Sequence, residues 1–160
     1  MPFSSYMLVR LAALFLAAAL LPAADTIVLV RHAEKAAAPA DNPGLTPAGQ
    51  ARAQALARTL GDAGIQVIIT SKFERTRATA RPIAQRLGIT PEVITEVPAV
   101  VARLRTLPAE TKVLVVHHSN TLPEIIHALG AGTVEPIAEG EYDRMLVVTG
   151  TRMLKLRYGR

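Results

Sequence analysis

The alternation of apolar and polar positions predicts a chain of strands and helices. Thr26-Ile27-Val28-Leu29-Val30 is a nearly unbroken β-branched and apolar run, the pattern of a central strand covered on both faces. It stops at Arg31-His32, and a polar loop containing Ala and Pro runs on to Gly44. Thr46-Pro47 places an N-cap before a proline at the first helical position. The helix that follows is expected to reach Leu60, with Ala48, Ala51, Ala55, Leu56 and Leu60 as its buried stripe, and Gly61 and Gly64 punctuate its end. Gln66 to Thr70 reads as a second buried strand. Ser71 opens a second helix, in which Phe73, Thr76, Ala80, Ile83, Ala84 and Leu87 share one face and Gly88 is the stop. A short strand near Glu92–Thr95 and a helix near Ala99–Leu107, turning Val100 and Leu104 inward, come next. Lys112 to Val116 is a third strong strand, ending in His117-His118. Leu122, Ile125, Ile126 and Leu129 then recur at helical spacing, with Gly130 and Gly132 at the exit. Arg144–Thr149 and Met153–Tyr158 alternate as two strands joined by a tight turn at Gly150-Thr151.

Strands alternating with helices imply an α/β fold, a three-layer sandwich with a mostly parallel central sheet. In such sheets the functional crevice lies beyond the carboxyl ends of the strands.

The first quarter of the chain is apolar for another reason. Arg10, the run Leu11–Leu21 and the small exit Pro22-Ala23-Ala24 read as a secretory signal peptide over residues 1–24. The run is shorter than the ~20 apolar residues that span a membrane. The expectation is therefore an exported protein, periplasmic or secreted, with one domain over 25–160 and no membrane association after cleavage. Loss of the leader would lower the net charge from +5 to +4. No basic patch interleaved with aromatics points to nucleic acid. The absence of Cys excludes disulfides, thiolate catalysis and zinc–thiolate sites.

The three strong strands deliver Arg31-His32, Thr70-Ser71 with Arg75 in the next helical turn, and His117-His118 to one edge. That set suits phosphate. Guanidinium groups bind phosphoryl oxygens bidentately and stay charged. A neutral imidazole can attack phosphorus, and a second imidazole, if protonated, adds positive charge. Arg75 and Arg77 lie about 200° apart around a helix, so only one of them faces the crevice, and Arg77, Arg81 and Arg86 fit solvated helix charges. His117 and His118 point to opposite faces of a continuing strand. His127, inside a helix, reads as structural.

Three segments carry a family resemblance. Val30-Arg31-His32-Ala33-Glu34-Lys35 resembles the Arg-His signature of the histidine phosphatase, or phosphoglycerate mutase-like, superfamily. Thr70-Ser71-Lys72-Phe73-Glu74-Arg75-Thr76 through Thr79-Ala80 resembles its second motif, and Val115-Val116-His117-His118-Ser119-Asn120-Thr121 its third. The resemblance implies His32 as nucleophile, Arg31, Arg75 and His118 as phosphate ligands, and no metal or other cofactor. It selects His118 over His117 because the family's histidine precedes the small polar turn. Ala33 stands where Gly is usual, and His117 where a small residue is common. The general acid, a carboxylate in the family, has no motif here; Glu96, Glu92, Glu34, Glu141 and Asp143 are candidates. The 43-residue step from Arg75 to His118 leaves no room for the helical insertion of the mutases. The chain is thus similar to the small phosphohistidine phosphatase branch.

The function implied is hydrolysis of a phosphomonoester or phosphoramidate through a phosphohistidine, on a small phosphorylated substrate or a phosphoprotein. The alternatives are a non-catalytic phosphate-binding domain and, less favoured on size, a phosphomutase. A metal site from His32, His117, His118 and Glu34 is opposed by the two arginines, and no Gly-x-Ser-x-Gly elbow marks a serine hydrolase. Substrate contacts would come from loops 33–44 and 131–142, which carry no motif.

Overall fold

The apolar runs form a single six-stranded sheet because each strand alternates its side chains between two cores. The computed structural model describes residues 24–159, so the leader expected over 1–24 lies outside the described residues except for Ala24. In chain order the elements are β1 (Thr26–Arg31), α1 (Pro47–Leu60), β2 (Val67–Thr70), α2 (Glu74–Leu87), β3 (Glu92–Val93), α3 (Val97–Thr106), β4 (Lys112–His117), α4 (Thr121–Ala128), β5 (Arg144–Thr149) and β6 (Arg152–Arg157). The sheet order is β3-β2-β4-β1-β5-β6. The first four are parallel to one another, and β5 is antiparallel to both β1 and β6.

Ile27, Leu29, Val113 and Val115 pack with α3 and α4 through Val100, Leu104, Leu122 and Ile126. Val28, Val30, Leu114 and Val116, the intervening residues, pack with α1 and α2 through Leu56, Leu60, Ala80 and Ile83. This is the expected three-layer α/β sandwich, and it explains why the central strands read as unbroken apolar runs rather than as alternating ones.

Three local expectations are corrected. The buried stripe of α1 is Gly49, Ala53, Leu56, Ala57 and Leu60, whereas Ala48 and Ala51 are exposed and Ala55 is half-buried. Alanine fits either face of a helix, so its spacing carries little contrast. A methyl at position 49 would overlap the Glu34 carbonyl oxygen, so α1 packs directly on the backbone beside His32. Helix α2 begins at Glu74 rather than at Ser71, whose hydroxyl is engaged elsewhere. His127 is exposed on α4 and has no structural role through its ring in the core. The β5–β6 hairpin turns at Gly150-Thr151, with Gly150 at φ +60°.

Candidate active site

Register decides which side chains meet. Arg31 pairs with His117 across β1 and β4, and the His32 N–H extends the ladder by donating to the His117 carbonyl at 2.9 Å. His32 and His118 are therefore next in line, on the face that Val30 and Val116 share with α1 and α2. Their ring centroids are 5.5 Å apart. His117 falls on the opposite face. Its ring nitrogens meet the Thr121 hydroxyl at 2.8 Å and the Ile94 carbonyl at 3.0 Å, so both are occupied.

His32 is 4% exposed. Its Nδ1 lies 2.8 Å from the Ala33 carbonyl, which can only accept. Nδ1 therefore carries the proton, and Nε2 keeps a lone pair. Burial, opposed by that hydrogen bond and reinforced by Arg31, Arg75 and Lys35, pushes the His32 pKa down to about 4. His118 is pushed down to about 3 by burial, then by Arg75, His117, His32 and Arg31. Both imidazoles are thus neutral near pH 7 in the ligand-free site. The positive charge that the sequence allowed for a protonated second imidazole resides instead on the arginines. The Ser71 hydroxyl sits 2.9 Å from His118 Nε2 and 2.9 Å from the Thr76 hydroxyl.

Arg31, also 4% exposed, points toward the loop after α4. Its Nη1 donates to the carbonyls of Ala138, Glu139 and Glu141 at 2.9, 2.7 and 3.1 Å. Its guanidinium lies 4.2 Å from the Tyr142 ring centroid, and that ring is 6.1 Å from His32. Arg75 has a matching arrangement: its guanidinium lies 4.4 Å from the Phe73 ring, which meets His118 edge-on at 5.4 Å. Burial, and then the charge of Arg31, lower the Arg75 pKa. The Nε atoms of Arg31 and Arg75 are both buried without a hydrogen-bond partner. A buried Arg31 and a partly buried Arg75, close enough for the Arg31 charge to act on Arg75 and each with an unused Nε donor, form a site complementary to an oxyanion.

The arginines of α2 separate as the helical angle requires. Arg77 and Arg81 are half-exposed and face Glu74, and Arg86 faces Asp62. The five candidate acids also separate. Glu34 is held by Arg52 at 2.8–3.0 Å, and Glu92 by Nε and Nη2 of Arg103, each at 2.7 Å. Glu141 is held by Arg144 and Arg157, and Asp143 by Arg157. Glu96 is exposed at the N-cap of α3; burial lowers the His117 pKa, and the Ile94 hydrogen bond and the Glu96 charge only partly oppose it. Among the described residues, no group of three or more His, Cys, Asp or Glu is arranged to hold a metal ion.

Sequence reasoning missed the aromatic residues Phe73 and Tyr142, the Ser71–His118 contact and the carbonyl cradle around Arg31. Phe73 and Ser71 lay within a recognised motif. Backbone carbonyls leave no trace in side-chain identity, so the cradle had no signal to find.

The family model of the histidine phosphatase superfamily (branch 1) matches residues 27–97, which include Arg31, His32 and Arg75. No curated protein matches the chain in sequence. Among solved structures, a protein named as the phosphohistidine phosphatase SixA from Agrobacterium tumefaciens is similar at 22% identity and TM-score 0.64, over 84% of this chain and 96% of that one. The protein histidine phosphatase SixA complexed with tungstate is similar at 19% identity and TM-score 0.67, over 83% and 95%. A mycobacterial glucosyl-3-phosphoglycerate phosphatase with inorganic phosphate is similar at 16% identity and TM-score 0.61, over 85% and 97%.

Proposed function

We propose that the chain is a phosphatase acting through a phosphohistidine on His32, a reading supported by the match of residues 27–97 to the histidine phosphatase superfamily model and by the likeness in fold over most of its length. The carrying observation is the state of His32: buried, neutral, with Nδ1–H on the Ala33 carbonyl and Nε2 left as the nucleophilic atom.

Nε2 attacks the phosphorus of a bound phosphomonoester or phosphoramidate, the bond to the leaving group breaks, and water then cleaves the N–P bond to release phosphate. Arg31 and Arg75 supply the charge that holds the phosphoryl oxygens through donors that have no protein partner. His118 contributes a ring N–H, and the arriving dianion raises its pKa toward protonation. The substrate is a small phosphorylated compound or a phosphoprotein, and it meets the protein without a metal cofactor. Arg10 followed by the apolar run Leu11–Leu21 supports export to the periplasm or beyond.

The test is turnover of an aryl phosphate by the wild-type chain, Arg75→Ala and Arg77→Ala. The wild type hydrolyses it with or without chelator. Arg75→Ala loses at least about tenfold in kcat/KM, because charge-assisted hydrogen bonds are worth roughly 1.5–3 kcal/mol each. Arg77→Ala keeps its rate. An inactive wild-type protein, or equal losses in the two variants, would refute the assignment.

A further inference from the structure

One hydroxyl joins the residue after His32, just beyond β1, to the helix that carries Arg75. Thr79 lies one turn beyond Arg75 on α2 and is fully buried. Its Oγ1 donates to the Arg75 carbonyl at 2.7 Å and accepts from the Ala33 N–H at 2.9 Å. One hydroxyl has one proton, so donation to Arg75 leaves a lone pair for Ala33. Ala33 is itself fully buried, and its carbonyl is the group that takes the His32 Nδ1 proton. A helical threonine bonding back four residues is commonplace; Thr59 does so to the Ala55 carbonyl at 2.9 Å on the exposed side of α1. Thr79 differs in its second bond, which crosses to another element at the residue beside the nucleophile.

We propose that Thr79 is a positioning residue for phosphoryl transfer. It holds Ala33 in the orientation that keeps His32 protonated on Nδ1, and it fixes the nucleophile's strand against the helix bearing Arg75. The inference rests on the phosphatase reading and extends it from the groups that touch phosphate to the joint that aligns them.

The experiment compares Thr79→Val and Thr79→Ser with the wild type, using aryl phosphate kinetics, urea unfolding and the ¹⁵N signals of the His32 ring. Valine keeps the shape and removes the hydroxyl, leaving the buried Ala33 N–H unpaired. It should lower kcat by roughly ten- to hundredfold, with a smaller change in KM. It should also populate the Nε2-protonated tautomer. Serine, which keeps the hydroxyl and loses the methyl, should restore kcat to within about threefold and the Nδ1-protonated tautomer. A valine variant with wild-type kcat and an unchanged tautomer would overturn the proposal. So would a folded serine variant whose kcat falls about tenfold or more below the wild type, a readout that stands even where valine fails to fold. An inactive wild-type protein would defeat the phosphatase reading instead. The ring signals would then decide on Thr79 alone: an unchanged tautomer in the folded valine variant overturns it, and a change in valine that serine does not show supports it.

Discussion

At the scale of single residues, the site depends on imidazoles kept neutral beside cations. A histidine in water titrates near pH 6.5. Burial is the largest influence on His32 and on His118, and the arginines add to it, which carries the two down to about 4 and about 3. The direction matters for the proposed chemistry, in which a lowered pKa would keep the attacking lone pair available throughout the physiological range. A bound phosphate dianion acts in the opposite sense, because its charge offsets Arg31 and Arg75. NMR titration of the free protein should therefore place both ring midpoints below pH 5, with an upward shift on adding inorganic phosphate. Midpoints near 6.5 without phosphate, or no response to it, would contradict this electrostatic account.

At the scale of elements, the strands were legible because their chemistry is uniform over several residues. Ile27–Val30 and Val113–Val116 serve two cores at once, so their termini, and the Arg31-His32 and His117-His118 pairs that follow, are marked in the sequence itself. Alternation beyond those termini separates His118, on the His32 side, from His117, which bonds Thr121 and Ile94. Helix α1 was less legible. Its sequence is rich in alanine, and the face it buries is chosen by the close approach of Gly49 to the Glu34 backbone. The pairings of Glu34 with Arg52 and of Glu92 with Arg103 were also hidden, since they join separate elements. Gly49 supplies a test in which the usual sign reverses. Alanine in a helix is ordinarily more stable than glycine by up to ~1 kcal/mol. Here the added methyl would meet backbone that cannot rotate away, so Gly49→Ala should destabilise the fold by roughly 1–3 kcal/mol. A lowered urea midpoint with an unchanged slope is the expected reading. A raised midpoint would show that α1 has room to move off the strand.

At the scale of the whole molecule, the fold assembles the proposed anion site from distant segments. Strand order brings β1 and β4 side by side, α2 supplies Arg75, and the loop before β5 grips Arg31 through its carbonyls. That loop is anchored in turn. Arg144 holds the Glu135 carbonyl at 2.8 Å and the Glu141 carboxylate at 2.8–3.0 Å, and Arg157 of β6 holds Glu141 and Asp143. The antiparallel hairpin thus secures the side of the site that the parallel strands leave open. The step on which this geometry bears is the proposed transfer of a phosphoryl group to His32. The most direct measurement is rapid quenching of a reaction with a ³²P-labelled aryl phosphate, with the label then located on the protein. The account predicts an acid-labile, base-stable N–P bond on His32, present in the wild type and missing in a folded His32→Ala variant. Label on His118 with His32 unlabelled would reverse the two histidine roles, and turnover with no labelled protein under any quench would mean that water attacks phosphorus directly.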